Sequence, residues 1–469
     1  MRKTMLVCGA VFMAIPVLSS AKDFPLEFKT LNAQEAMAFP GGAGIYGTIQ
    51  PNKPAGIRKE PAAISKHPLY GELNGQTVRD RLYFRLDESK GDGKGYDRLI
   101  VDMNQNGDLT DDAVAVRVEQ PGSSKTTSPS QQEIAIFGPI AAPNDKMIGS
   151  SRPIYFAQMY LFTPPAGVSS NVRIAYFGQL RFKAGWYLEA TVEFDGTKRK
   201  VGIIDANCNL QLGDIVTPTT YSGGSETSWY FQNGDYFLQD ITGSGKFKNT
   251  PGDSASSPFG PMLYLGAKPY KATLSADCKS LALDPWAEPL AELAIQPHGE
   301  QVNVIQVAWE SSPGKWQLLQ PGVENGKAKV PPGNYRLYAC TLKVKTSGGD
   351  SLILSGYKLS PKDTVKAEAG VPASFKCGSP LDVKVTSSAR ETAAAGGSQS
   401  LLGRIARNLS SSDQTLEQLI QASVVGAGGE SYSSFVLEDK NNQRQPPSPT
   451  FAVATSDGRE VGSGNMEFG

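Results

Sequence analysis

The stretch Tyr187–Asp214, YLEATVEFDGTKRKVGIIDANCNLQLGD, carries the signals that decide the fold. Tyr187–Phe194 alternates apolar and polar residues, and Lys200–Ile204 is rich in β-branched residues, so each segment predicts a β-strand. Asp195 and Gly196 lie between them and favour the positive φ angles of a tight hairpin turn. The stretch therefore predicts a β-hairpin, and an acidic loop follows its second strand.

Short strand signals of the same kind recur along the chain. Examples are Leu82–Leu86, Leu99–Asp102, Val114–Val118 and a second hairpin with its turn at Asn325 and Gly326. Gly and Pro are frequent, at 49 and 32 of the 469 residues, which favours a turn-rich β protein over a helical one. We therefore expect an all-β chain made of several antiparallel sandwich-like domains in tandem.

The charge balance and the histidine count argue against several functional classes. Lys plus Arg and Asp plus Glu number 46 each, so no excess positive charge is present to attract nucleic acid. The two histidines, His67 and His298, offer little for histidine-based catalysis. No segment after the N-terminus has the length and apolar character of a membrane span. We expect no nucleic-acid partner, no membrane span and no enzymatic activity.

The first 21 residues have the three parts of a secretory signal peptide. Arg2 and Lys3 are followed by the mostly apolar run Leu6–Leu18 and by the small residues Ser19–Ala21. We expect cleavage after Ala21 and a periplasmic or extracellular location.

Export changes the interpretation of the cysteines Cys208, Cys278, Cys340 and Cys377. An even number in an oxidising compartment favours disulfides, and four cysteines allow three pairings. We favour Cys340 with Cys377 and Cys208 with Cys278, and four free thiols remain the alternative.

The acidic loop after the hairpin occurs in three versions. Loop 1 covers residues 102–112, loop 2 residues 205–214 and loop 3 residues 240–249. Each has side-chain oxygens at positions 1, 3, 5 and 10, has an apolar residue at position 8 and follows an apolar strand. This shared register predicts an internal repeat of a strand and a loop.

Alternating oxygen-bearing side chains in a tight loop suit Ca²⁺, which takes oxygen ligands at about 2.3–2.6 Å. In loop 1 the candidate ligands are Asp102, Asn104, Asn106, the main-chain carbonyl of Asp108, and Asp111 or Asp112. In loop 2 they are Asp205, Asn207, Asn209 and Asp214. Loop 3 has the single carboxylate Asp240, so its charge is weakest. The alternative is an Asp- and Asn-rich turn that accepts hydrogen bonds from its own backbone.

The Asp-x-Asn-x-Asn-Gly core of loop 1 resembles the calcium loops of the EF-hand, dockerin and thrombospondin type 3 families, and also loops of uncharacterised secreted bacterial β proteins. The resemblance implies a Ca²⁺ site. We expect an affinity in the range of extracellular modules, on the order of 0.1 to 1 mM, and a structural role, because a cation bound only by the folded chain stabilises it. Ala113 replaces the bidentate Glu of an EF-hand, and strands flank the loop, so the helix movements of a calcium sensor are not implied. Loop 2 has Leu210 in place of the glycine.

Composition divides the mature chain into four parts. These are an N-terminal β region at 22–286 with the three loops, a β-sandwich at 298–386, a linker at 387–415 and a small C-terminal β unit at 416–469. A short helix is expected at Leu401–Leu409. The segment Val330–Tyr338 resembles part of prealbumin-like and carboxypeptidase-regulatory-like sandwich domains, which implies a fold and no chemistry.

We therefore expect a secreted, calcium-stabilised, multidomain β protein that acts as a structural or interaction module, with an extracellular protein or a polysaccharide as its partner. A carbohydrate-binding protein is the first alternative, since aromatic residues can form a sugar-stacking face. The candidates for such a face are Trp186, Tyr187, Trp229, Tyr230 and Phe231. An exported hydrolase is the second, less favoured alternative. Its candidate acid pair is Asp87 and Glu88, which we expect to be solvated turn residues.

Overall fold

A computed structural model describes residues 22–40, 44–73, 81–91, 95–118, 132–162, 178–194, 196–223, 226–232, 234–249, 254–346, 348–358, 363–392, 415–438, 443–448, 450–454 and 457–465. The predicted signal peptide and the predicted helix at 401–409 lie outside these residues. Within the described part of the chain, no helix has the length and apolar character needed to cross a membrane.

The fold is all β, as predicted, apart from one short helix, α1 (Ala33–Ala38), among the described residues. The strands of the N-terminal region are β1 (Lys22–Pro25), β2 (Glu27–Thr30), β3 (Ile45–Gln50), β4 (Leu69–Leu73), β5 (Leu82–Asp87), β6 (Arg98–Val101), β7 (Val114–Val118), β8 (Gln132–Ala141), β9 (Ile154–Phe162), β10 (Gly178–Ala184), β11 (Trp186–Phe194), β12 (Thr197–Ile204), β13 (Thr217–Gly223), β14 (Glu226–Gln232), β15 (Tyr236–Gln239), β16 (Ser256–Pro258), β17 (Met262–Leu265), β18 (Lys268–Leu274) and β19 (Ser280–Pro285). Those that follow are β20 (Ala291–Gln296), β21 (Gln301–Ser312), β22 (Lys315–Leu319), β23 (Val323–Glu324), β24 (Lys327–Val330), β25 (Gly333–Lys345), β26 (Ser351–Tyr357), β27 (Val365–Ala367), β28 (Ala373–Lys376), β29 (Asp382–Thr392), β30 (Thr415–Val425), β31 (Ser431–Glu438), β32 (Gln443–Arg444), β33 (Thr450–Ala454) and β34 (Glu460–Asn465).

Strands β3 to β10 close an eight-stranded antiparallel barrel, because β10 pairs with both β9 and β3. Its core contains apolar residues from neighbouring strands, such as Leu73 on β4, Phe84 on β5 and Leu99 on β6, which are fully buried. The sequence predicts sandwiches here, whereas the structure forms a barrel, because both architectures use short alternating strands. Loop 1 joins β6 to β7, so the barrel fixes both of its ends.

A five-stranded sheet in the order β16-β15-β12-β11-β2 carries the other two loops. The predicted hairpin is confirmed as β11 and β12, with Phe194 opposite Thr197 and Gly196 at φ 73°. Loop 2 follows β12 and loop 3 follows β15, and because these neighbouring strands are antiparallel, the two loops leave opposite ends of the strand pair. Next to this sheet, β1, β19, β18 and β17 form a four-stranded sheet.

The predicted sandwich is formed by two sheets. The smaller has the order β23-β24-β20-β28, and the larger runs β22-β21-β25-β26-β31-β30-β29, with β27 and β32 attached. Their shared core includes Leu293, Val307, Tyr335 and Leu342, all fully buried. The second predicted hairpin is also present, as β23 and β24.

Strand β29 runs through the expected boundary between the sandwich and the linker at residues 386 and 387. Strands β30 and β31 then pair with β29 and β26, so residues 415–438 join the larger sheet of the sandwich. Most of the expected linker, residues 393–414, lies outside the described residues. The reason for the difference is that β29 and β30 pair over eleven residues on each strand, which the composition of the intervening segment does not reveal.

Candidate metal centre

Asp102, at position 1 of loop 1, is fully buried and holds the turn together. Its Oδ1 accepts a hydrogen bond from the main-chain N–H of Asn106 at 3.0 Å, and its Oδ2 accepts one from Gly107 at 2.8 Å. One carboxylate therefore binds two successive N–H groups, at positions 5 and 6 of the loop.

The other two loops repeat this arrangement at the same positions. Asp205 accepts hydrogen bonds from the N–H groups of Asn209 at 3.2 Å and Leu210 at 3.1 Å. Asp240 accepts them from Ser244 at 3.0 Å and Gly245 at 2.7 Å. The structure therefore shows that the three sequence copies share one local conformation.

The backbone torsions agree with this conclusion. Position 4 has a positive φ in all three loops, and so does position 6. The φ angles are 59° at Gln105, 54° at Cys208 and 69° at Gly243, then 71° at Gly107, 67° at Leu210 and 77° at Gly245. A residue with a side chain is strained at a positive φ angle. Loop 2 nevertheless keeps the conformation with Leu210 at the position where loop 1 has a glycine.

The amides at positions 3 and 5 converge on the carboxylate at position 10. In loop 1, Asn104 Nδ2 and Asn106 Nδ2 donate to Asp111 Oδ2 at 3.1 and 2.8 Å. In loop 2, the same groups of Asn207 and Asn209 donate to Asp214 Oδ2 at 3.1 and 2.6 Å. The structure thus brings together the side chains at positions 1, 3, 5 and 10, as the sequence predicts. The side-chain N–H groups of the two asparagines point to the middle of this cluster.

In loops 1 and 2, a further carboxylate accepts a hydrogen bond from the main-chain N–H at position 2. In loop 1, Asp112 Oδ1 accepts a hydrogen bond from the N–H of Met103 at 3.1 Å. In loop 2 the corresponding N–H, that of Ala206, donates at 3.3 Å to Asp235, which directly precedes β15. The only sequence signal for Asp235 is indirect, since loop 2 has Ile215 where loop 1 has Asp112.

Burial of these carboxylates raises their pKa values. Burial raises the pKa of Asp112 to about 7, and the neighbouring carboxylates of Asp102 and Asp111 add to the effect. Burial likewise raises the pKa of Asp205 to about 7, against the opposing hydrogen bond from the Tyr155 hydroxyl at 2.7 Å. The pKa of Asp235 is also raised, by burial and then by Asp205. A proton or a cation would relieve the electrostatic cost of ionising these groups.

Asp108, at position 7 of loop 1, lies in a different environment. Hydrogen bonds from Thr110 and Lys59 lower the pKa of Asp108 to about 2. The Lys59 Nζ atom lies 2.9 Å from Asp108 Oδ2, and Arg58 donates to the carbonyl of Asn106. The basic side chains therefore contact the outer side of the loop.

Apolar residues at position 8 attach each loop to a core. Leu109 is fully buried beside Ile57 and Ile100, and Phe247 lies in the barrel core. Leu212 packs against both the barrel core and the core of the neighbouring sheets. Loops 2 and 3 therefore fasten the five-stranded sheet to the barrel.

Loop 3 keeps the conformation but few of the candidate ligands. The hydroxyl of Thr242 donates to Ser244 Oγ at 2.8 Å, and Asn249 Oδ1 accepts the N–H of Ala255 at 2.9 Å. Asp240 is thus the single carboxylate of this loop.

The described residues contain no group of three or more His, Cys, Asp and Glu side chains placed to hold a metal ion. A cation in loop 1 or loop 2 would need oxygens from the asparagines and the main chain as well. The side chains present fit that demand. Rotating the two Asn amides would exchange their N–H groups for oxygens beside the position 10 carboxylate, so that these oxygens could bind one cation together. This rotation would break the bonds that Asn104 Oδ1 and Asn106 Oδ1 accept from N–H groups two residues later, at 3.1 and 2.6 Å.

The four mature-chain cysteines are free thiols in the structure, so neither predicted disulfide is present. The Cys208 thiol donates to the carbonyl of Phe182 at 3.5 Å. The Cys340 thiol, together with burial, raises the pKa of Cys377.

Three of the five aromatic residues proposed for a sugar-stacking face, Trp186, Trp229 and Phe231, serve as packing groups. Trp186 is fully buried, and the rings of Trp229 and Phe231 pack on the sandwich, with centroids 5.3 Å from Trp316 and 4.8 Å from Tyr338. The guanidinium carbon of Arg336 lies 4.3 Å from the centroid of the Trp229 ring and 4.2 Å from that of Trp316. These rings join the β13–β14 hairpin to the sandwich, so they give the carbohydrate-binding alternative no support.

Asp87 and Glu88 are buried, contrary to the expectation of solvated turn residues. Asp87 Oδ2 lies 3.1 Å from Arg85 Nη2, and Asp87 Oδ1 accepts the N–H of Ser65 at 2.8 Å. The Ser65 hydroxyl donates to Glu88 at 3.0 Å. The pair is buried because it fixes the segment before β4 to the end of β5, a tertiary contact that the local sequence does not show.

No protein-family model matches this chain, and no curated protein or solved structure is detectably similar to it.

Proposed function

We propose that the protein is a secreted, calcium-stabilised β protein with a structural or interaction role, and that loops 1 and 2 are its Ca²⁺ sites. The observation that carries the proposal is the identical arrangement of the two loops. Each places one fully buried Asp, two Asn side chains and a position 10 Asp around one centre. Carboxylate, amide and carbonyl oxygens are the ligands that Ca²⁺ prefers.

The position of the loops supports a structural role. Loop 1 closes one end of two barrel strands, and loop 2 lies between the five-stranded sheet and the barrel. A cation bound only by the folded chain stabilises it by about 2.7 kcal/mol at a hundredfold excess over the dissociation constant. Ca²⁺ would then favour the assembled arrangement of barrel and sheet.

Thermal unfolding of residues 22–469 in 10 mM Ca²⁺, 10 mM Mg²⁺ and excess chelator tests the proposal. We expect Ca²⁺ to raise the melting temperature by several degrees and Mg²⁺ to have a smaller effect. Asp111→Asn and Asp214→Asn should each remove part of the Ca²⁺ response, since both keep the shape of the side chain and lose its charge. Asp363→Asn, on the exposed surface of the sandwich, is the matched control and should respond like wild type. Equal melting temperatures in Ca²⁺ and chelator would refute the proposal.

We also propose that, after export, the Cys340 and Cys377 thiols form a disulfide by exchange with a disulfide oxidant of the oxidising compartment, which takes up the two electrons and two protons. Both side chains are buried in the sandwich core, and the Cys340 thiol raises the pKa of Cys377. Closing a loop of this length stabilises a fold by about 3 to 4 kcal/mol in the chain-entropy account. Mass spectrometry of the protein isolated from an oxidising compartment, with and without reductant, tests the bond directly.

A further inference from the structure

The larger sheet of the sandwich ends in an exposed edge at β29. Among the described residues, β29 pairs with β30 on one side and with no strand on the other. Free edges invite pairing with another strand, and natural proteins normally protect them.

The exposed part of this edge presents a row of apolar side chains. Leu381, directly before β29, is 38% exposed, and Val383 and Val385 are 61% and 64% exposed. The three side chains share one face of the strand, because they are two residues apart. Val383 lies opposite Val424, which packs on the sandwich core. The apolar face of β29 is therefore on the core-facing side of the larger sheet, in a part that is not covered.

We infer that the protein forms a symmetric dimer in which the β29 edges of two copies pair antiparallel, with Val383 at the two-fold axis. In this register Val383 faces Val383 of the second copy, and Leu381 faces Val385. Asp382 lies opposite Lys384 of the second copy, and the symmetry repeats that pair. Opposite charges directly across two strands contribute roughly 0.2 to 1 kcal/mol per pair.

Neighbouring registers are less favourable. An axis at Asp382 places two Asp side chains opposite each other, and an axis at Lys384 does the same with two Lys side chains. Centring on Val383 is the one choice of these three that matches both apolar side chains and charges, so the edge is complementary to a second copy of itself.

The paired segment is short, since it covers five residues of each copy, from 381 to 385. Pro380, directly before it, lacks the N–H group that would extend the ladder. We therefore expect a weak dimer, with dissociation constants on the order of micromolar to tens of micromolar.

Disulfide trapping of the full mature chain tests the register. Val383→Cys should form an intermolecular disulfide on mild oxidation, because facing residues of an antiparallel pair have Cα atoms about 4.5 to 5.5 Å apart. Val385→Cys is the matched control, with almost the same exposure. Its two copies would be four residues apart along the ladder, about 13 Å, which is too far for a disulfide. Equal trapping of both variants, or of neither, would overturn the proposed register.

Analytical ultracentrifugation from 1 to 100 μM tests the dimer itself. Wild type should associate as the concentration rises, and Lys384→Asp should weaken association about tenfold or more by placing Asp opposite Asp. The double variant Asp382→Lys, Lys384→Asp restores opposite charges across the axis and should recover association. A wild-type chain that stays monomeric at 100 μM overturns the proposal, and so does a dimer that ignores both substitutions.

Discussion

Asn106→Asp separates a cation-binding loop from a loop that only binds its own backbone. Asn106 Nδ2 donates to Asp111 Oδ2 at 2.8 Å, and the substitution replaces this donor with a carboxylate oxygen. In the absence of a cation, the variant loses a hydrogen bond of about 1 kcal/mol and gains a repulsion of about 1 to 2 kcal/mol between groups near the surface. We therefore expect the free energy of unfolding of the variant in chelator to be lower than that of wild type by roughly 2 to 3 kcal/mol.

Calcium should offset part of this loss of stability. A second carboxylate near Asp111 adds charge to the site, and a tenfold gain in affinity corresponds to about 1.4 kcal/mol. The variant should thus melt below wild type in chelator and lie closer to wild type in 10 mM Ca²⁺.

The assay is thermal unfolding in parallel with calorimetric titration of Ca²⁺ into the chelator-treated protein. Asn325→Asp, in the turn between β23 and β24, is the matched control because Asp tolerates the same positive φ of 52°. It should shift stability by less than about 0.5 kcal/mol in either condition. If Asn106→Asp lowers the melting temperature equally with and without Ca²⁺, loop 1 is a metal-free turn and the reasoning is wrong.

Three further predictions follow from single contacts. Gly107→Ala should destabilise the protein by roughly 1 to 3 kcal/mol in urea unfolding, since Gly107 has φ 71° and a Cβ would lie 2.5 Å from a main-chain oxygen; unchanged stability would contradict the loop conformation. Lys183 is buried and donates to the carbonyl of Met37 at 3.0 Å, and burial lowers the pKa of Lys183 to about 8. The unfolded chain then binds more protons between pH 8 and 10.5, so unfolding free energy should rise with pH across that window, and Lys183→Met should remove this component of the rise. Replacing Cys340 and Cys377 together by alanine should lower the melting temperature of the oxidised protein and abolish its sensitivity to reductant; a wild-type chain insensitive to reductant would argue against the bond.

Local signals predicted the hairpins and the loop conformation well. The turn at Asn325 and Gly326 needs only its own two residues, and the bonds from position 1 to positions 5 and 6 stay within one loop. Barrel closure depends instead on pairing between β3 and β10, in which Thr48 lies opposite Gln179. No local pattern specifies a partner so far along the chain, and alternating strands suit a sandwich equally well.

The burial of Asp87 and Glu88 also could not be predicted from the local sequence, because it depends on tertiary partners. Two adjacent acids beside a glycine-rich turn have the composition of an exposed loop. Arg85, two residues before Asp87 and itself buried, supplies the compensating charge, and Ser65 supplies hydrogen bonds from a separate segment. Burial of a charge depends on such partners, which only the folded chain brings together.

Asp235 extends this argument to the candidate site. Loop 1 contains its own acceptor for the position 2 N–H, in Asp112, and is therefore complete within one connection between two barrel strands. Loop 2 takes the same acceptor from Asp235, whose other oxygen also accepts N–H groups of Gly213 and Asp214, at 2.7 and 3.1 Å. Because Asp235 precedes β15, the conformation of loop 2 depends on the pairing of β12 with β15. A cation that stabilises loop 2 would thus also stabilise the sheet that holds it, whereas a cation in loop 1 would act on the barrel alone.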